Sequence, residues 1–183
     1  MADKPRLLQG NRDMFWSIMV LMLVCLVFAA IGGYVTFGQP KPGPVPEFDS
    51  HHALSQDAQT LGFPVREPEL PDDWQSNSGR LERLGDHDAS VVGWVTPSNT
   101  YVELIQTSAD AQTLRQRGEH PRPDQRPMPL GGEEWTVYSG DDARDIWVLD
   151  EGDVRIAVSG QAGQSDFETM AEAAANVKPL PAN

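Results

Sequence analysis

Cysteine occurs once in the 183 residues, at Cys25. No intrachain disulfide can therefore form, and the fold has to rest on an ordinary apolar core. Positive charge is also scarce: 14 Lys and Arg stand against 27 Asp and Glu, a formal net charge of -13. Binding a polyanion needs a basic footprint, which excludes nucleic acid as a partner and argues against docking on anionic lipid. Motifs that carry reaction chemistry are missing as well. The chain has no phosphate-cradling glycine loop, no His-Glu-x-x-His, no nucleophile elbow and no thiol nucleophile outside its apolar run. Among so many carboxylates some pairs arise by chance, so they carry no argument for glycoside hydrolysis. The chain is expected not to be an enzyme and to need no cofactor.

Charge is absent altogether from Met14 to Phe37, a run of 24 residues. As a helix rising 1.5 Å per residue it would extend about 36 Å, enough to cross a hydrocarbon core with some tilt. Lys4, Arg6 and Arg12 precede it and only Lys41 follows closely. The positive-inside rule then places the N-terminus in the cytoplasm and everything after Gly38 outside, a single-pass protein of the cell membrane. Phe15 and Trp16 at one end, and Tyr34 and Phe37 at the other, fit interfacial aromatic belts. A cleaved signal peptide is the rival reading, but an h-region usually runs only 7 to 15 residues. Cys25 follows Met22-Leu23-Val24 without the small residue that precedes a lipidated cysteine.

This divides the chain into a cytoplasmic tail (1–13), a transmembrane helix (14–37), a spacer with a short helix (38–62) and an extracytoplasmic domain (63–183). The domain is expected to be α+β, an antiparallel sheet of about six strands packed with two or three helices. Pro40, Pro42, Pro44 and Pro46 make the spacer extended. Ser50 is expected to cap a helix through Leu61, with Leu54, Ala58 and Leu61 on one face and Gly62 as its stop. Neighbouring His51 and His52 point in different directions on a helix, which disfavours a metal site. The acidic turns Asp86-His87-Asp88, Asp141-Asp142 and Asp150-Glu151-Gly152-Asp153 lack the spacing of a calcium loop. No metal is expected.

Strands are expected at Gln75 to Leu84, Ser90 to Thr96 and Thr100 to Gln106, with Pro97-Ser98-Asn99 turning between the last two. The third is apolar on both faces, so its register is ambiguous. Ser108 is expected to cap a helix through Arg117. From Glu119 to Gly132, Pro121, Pro123, Pro127 and Pro129 predict a structureless loop, in which Arg122 and Arg126 could meet an anionic group. Glu134 to Ser139, Arg144 to Asp150 and Val154 to Ser159 then form an antiparallel meander. A capping box, Ser165 with Glu168, opens a last helix that buries Phe167, Met170, Ala171 and Ala174.

Trp94, Trp135 and Trp147 are the candidate ligand-binding aromatics, although large aromatics in strands more often fill cores. With Arg122 and Arg126 they complete the candidate site. Several pieces occur in one order along nearly the whole chain: Arg6-Leu7-Leu8-Gln9, Arg12-Asp13-Met14, Pro68-Glu69-Leu70-Pro71-Asp72-Asp73-Trp74, Ser78-x-Arg80, Gly93-Trp94, Gly132-x-x-Trp135 and Val158-Ser159-Gly160-Gln161-Ala162. Together they resemble the actinobacterial domain of unknown function 4245 family. The resemblance implies a single-pass membrane protein with one extracytoplasmic domain, and it brings no functional residue with it. Two functions are expected in turn: an interaction module binding an envelope protein or polymer, or a binding protein for an apolar ligand on a sheet like that of periplasmic lipoprotein carriers. An envelope hydrolase comes third.

Overall fold

A computed structural model of the chain describes residues 7–31 and 48–181 and, within the first of these segments, the side chains of 14–29. The chain forms two units, Met1–Pro44 and Val45–Asn183. In the first, helix α1 runs from Leu7 to Ile31, so it begins ahead of the charge-free run. Its large apolar side chains, Phe15, Trp16, Leu21 and Phe28 among them, are exposed. Among the described residues no helix is long and apolar enough to cross a membrane; the charge-free run itself continues to Phe37, past the end of α1. The tail ahead of Leu7, Tyr34 and Phe37, which were expected at a membrane interface, and the Pro-rich segment Gln39 to Pro46 lie outside the described residues.

In the second unit, helix α2 (Ser50–Thr60) leads to strands β1 (Gln75–Leu84), β2 (His87–Val95) and β3 (Tyr101–Thr107), a short helix α3 (Ala111–Arg115), strands β4 (Asp124–Leu130), β5 (Glu133–Gly140), β6 (Ala143–Asp150) and β7 (Arg155–Gly160), and helix α4 (Gln164–Asn176). All seven strands join one sheet in the order β1-β2-β3-β7-β6-β5-β4, and every pairing is antiparallel. Two meanders, β1 to β3 and β4 to β7, thus meet where β7 docks on β3. Short turns make each meander, which is why the strands between them were legible from alternation and turn residues.

Both faces of the sheet carry a core. On one, Val92, Leu104, Val158, Trp147 and Val137 stand in register across five strands and are covered by Leu54 and Ala58 of α2 and by Phe167, Met170 and Ala174 of α4. On the other, Leu84, Val91, Ile105, Ala157, Val148 and Ile146 pack with Leu114 of α3. The two-sided apolar pattern of β3 follows from this. A central strand buried on both faces reads as a continuous apolar run rather than an alternation. Because α2 packs into the first of these cores, it belongs to the folded unit rather than to the spacer.

Several local expectations are corrected. The loop expected from Glu119 to Gly132 contains β4, which makes seven strands instead of about six. Pro127 and Pro129 fit there because β4 is an edge strand and residues two apart aim their backbone nitrogens the same way. Only one side of β4 is paired, so the missing donors fall at the open edge. The helix caps also move. Asp49, not Ser50, caps α2 by accepting from the His52 amide at 2.9 Å, and Asp110, not Ser108, caps α3 by accepting from the Thr113 amide at 2.7 Å. The capping box of the last helix does not form: Gly163 stands at the N-cap without a side-chain bond, and Glu168 accepts from Gln164 instead.

Candidate functional site

Helix α3 has only five residues and covers only part of its sheet face. Beside it the same face turns from apolar to charged. Arg80 and Glu82 of β1 share the parity of buried Leu84, and Glu103 of β3 shares that of buried Ile105. With Tyr101, Arg117, Gly118, Glu119, His120, Arg122, Asp142, Ala143, Arg144 and Ser159 they line an open cleft of about 740 Å3. Its floor is close-packed. Tyr101 lays its ring over Gly93 of β2, where a Cβ would collide with it, and its hydroxyl lies 3.2 Å from that of Ser78.

Arg117 organises the charges. Its Nε and Nη2 each donate to Glu82 at 2.8 Å, and its Nη1 donates to Glu103 at 2.5 Å. Burial disfavours its charged form, but the hydrogen bonds and charges of Glu82 and Glu103 outweigh that and raise its pKa. Glu82 is held below the usual carboxylate range, chiefly by the Arg117 hydrogen bond. Arg80 adds weaker contacts to Glu82 at 3.1 Å and Glu103 at 3.3 Å. These two acids and two arginines form a closed set that ties β1 and β3 to the segment after α3.

Arg122 is arranged differently. It is only 7 % exposed, and its contacts are backbone carbonyls: Nε donates to Arg144 at 2.5 Å, and Nη1 donates to Arg117 at 2.6 Å and Arg115 at 3.3 Å. Arg115 in turn donates to the carbonyls of Arg122 and Pro123 and lies over the Tyr138 ring. Burial, then the neighbouring charge of Arg117, push the Arg122 pKa down, partly opposed by Asp145 and Glu103. Among the described residues Arg122 and Arg144 make no ion pair.

The residues singled out from sequence do not form one site. Trp94, Trp135 and Trp147 are all buried under α2 and α4, on the face opposite the cleft, and Trp135 is fully enclosed. Trp147 meets Phe167 with ring centroids 5.2 Å apart. Arg126 lies on exposed β4 and shares with Trp147 the lining of a smaller cleft of about 240 Å3. Only Arg122 reaches the large cleft. Sequence reasoning gave no site role to Arg80, Glu82, Glu103 or Arg117. The available signal was Glu103, a charge set between Val102 and Leu104 in an otherwise apolar strand.

Among the described residues no group of three or more His, Cys, Asp or Glu side chains could hold a metal ion. His51 instead lies 2.7 Å from Glu67, tying α2 to the segment ahead of β1, and this contact raises its pKa. Two of the three acidic turns are engaged. Asp88 pairs with Arg83, Asp150 accepts from the Gly152 amide, and Glu151 accepts from Arg66.

Among known families, the model described as "Protein of unknown function (DUF4245)" matches residues 6–174. No curated protein and no solved structure gives a significant match.

Proposed function

This chain belongs to the DUF4245 family of proteins of unknown function, and we propose that it is a membrane-anchored extracytoplasmic interaction module. Its charged cleft binds a cell-envelope protein or polymer. The observation that carries this reading is the cleft itself, a concave region with convergent polar groups on the half of a sheet face that α3 leaves open. An apolar ligand finds less support, because the three tryptophans expected to receive it are used as core. We assign no catalysis to the cleft: Glu82 and Glu103, its inner carboxylates, are tied up by arginines.

Anchoring is supported by the 24-residue charge-free run with Lys4, Arg6 and Arg12 ahead of it, and by the exposed apolar side chains of α1. A helix apolar on all sides needs lipid or protein around it. In this reading the run makes a single spanning helix, the N-terminus is cytoplasmic and the folded unit stands outside. Affinity capture of the full-length chain from membranes of its own host, after mild cross-linking, tests the module. The expected result is a reproducible partner that is lost with Asp142→Arg at the cleft rim. Recovery of the same proteins with both chains, or of none, contradicts it.

A further inference from the structure

The cleft lining holds four arginines and four carboxylates, and they are not all paired with one another. Glu82 and Glu103 are matched by Arg80 and Arg117, which leaves Arg122 at the floor and Arg144 at the rim without an acidic partner among the described residues. Arg122 is more than nine-tenths out of water; Asp145 and Glu103 act on it through space, but no carboxylate bonds it directly, and a buried cation is stabilised by such a bond. Two of its nitrogens are used by carbonyls. The third, Nη2, has no partner among the described residues and is not sealed from solvent. Arg122 lines the open cleft and keeps one donor that no described residue uses.

We propose that this cleft binds a carboxylate carried by its occupant, with Arg122 Nη2 donating from the floor and Arg144 closing over it from the rim. Arginine suits this role because its planar fork presents several fixed donors to a carboxylate. A carboxylate fits better than a phosphate because Glu119 and Asp142 also line the cleft. They repel a doubly charged group more strongly than a singly charged one, and they favour a ligand with a positive group beside its acid. The assignment rests on the interaction-module reading for the occupant being an envelope partner, while carboxylate binding itself can be measured alone.

The full-length chain in detergent micelles, titrated with sodium acetate and separately with sodium phosphate at constant ionic strength, gives the test by amide shifts at Gly118, His120 and Ala143. Saturable shifts with acetate, no tighter response to phosphate, and about tenfold or more weakening in Arg144→Ala are expected, the size following from loss of a charge-assisted hydrogen bond. Arg144 is exposed and its side chain has no partner among the described residues, so its truncation leaves the fold intact. Arg122 stitches three carbonyls and is a poorer choice for substitution. No saturable acetate response, tighter phosphate binding, or unchanged affinity in Arg144→Ala overturns the assignment. Acetate binding without a recovered envelope partner leaves this site standing and removes the module reading. A partner recovered without acetate binding does the reverse.

Discussion

Arg117 holds carboxylates from two strands at once while only 14 % of its side chain is exposed. Methionine there would leave Glu103, 10 % exposed, without its shortest contact. Arg117→Met should therefore lower the free energy of unfolding by about 2–3 kcal/mol in urea at neutral pH. It should also change the response to acid. Because Glu82 has its pKa lowered in the fold, its ionised form contributes stability that is present above the ordinary carboxylate range and lost as pH falls through the lowered value. The variant should lose less stability on acidification than the parent, and equal losses would contradict the pairing. Asp57 has the opposite sign. Burial against β2 raises its pKa although Ser90 donates to it at 2.5 Å, so its contribution is greatest below the ordinary carboxylate range and declines as pH rises through the raised value. Asp57→Asn should stabilise the protein at pH 7 by under about 1 kcal/mol, since the group keeps part of its water, and the two chains should converge in acid. Denaturation at both pH values checks this.

Strand β4 shows where local chemistry misleads. Its prolines signal a loop to any reading that considers a residue's own donors, whereas the sheet requires donors on only one side of an edge strand. The same prolines leave the open edge without donors at two positions and discourage pairing with another chain. Replacing both, Pro127→Thr with Pro129→Thr, should make the chain self-associate with rising concentration in analytical ultracentrifugation. A monodisperse double variant would show that the edge is guarded by something else. The other six strands were legible because turn residues bracket them, and α4 because Phe167, Met170, Ala171 and Ala174 recur at helical spacing and all are buried. The caps were less legible. Asp49 and Ser50 are adjacent cap formers, and Asp110 lies two residues past Ser108, so composition narrows each helix start only to within a turn.

Across the whole folded unit, the sheet uses one face for stability and divides the other between core and cleft. Its α+β class followed from strands bracketed by helices. The cleft was not legible because Arg80, Glu82, Glu103 and Arg117 belong to three separate segments that only β1–β2–β3 pairing and the turn after α3 bring together. Arg122 was legible as a residue able to meet an anion, though not as a buried one. Occupation of this cleft by an envelope partner is the proposed function. The most direct measurement is photo-cross-linking in living cells of the host, with the reactive side chain placed at His120 on the cleft or, as control, at Asp153 in the turn before β7. A discrete adduct from position 120 that weakens when Arg144→Ala is added, with none from position 153, is the predicted result. Adducts of equal yield from both positions, or none from position 120, would contradict it.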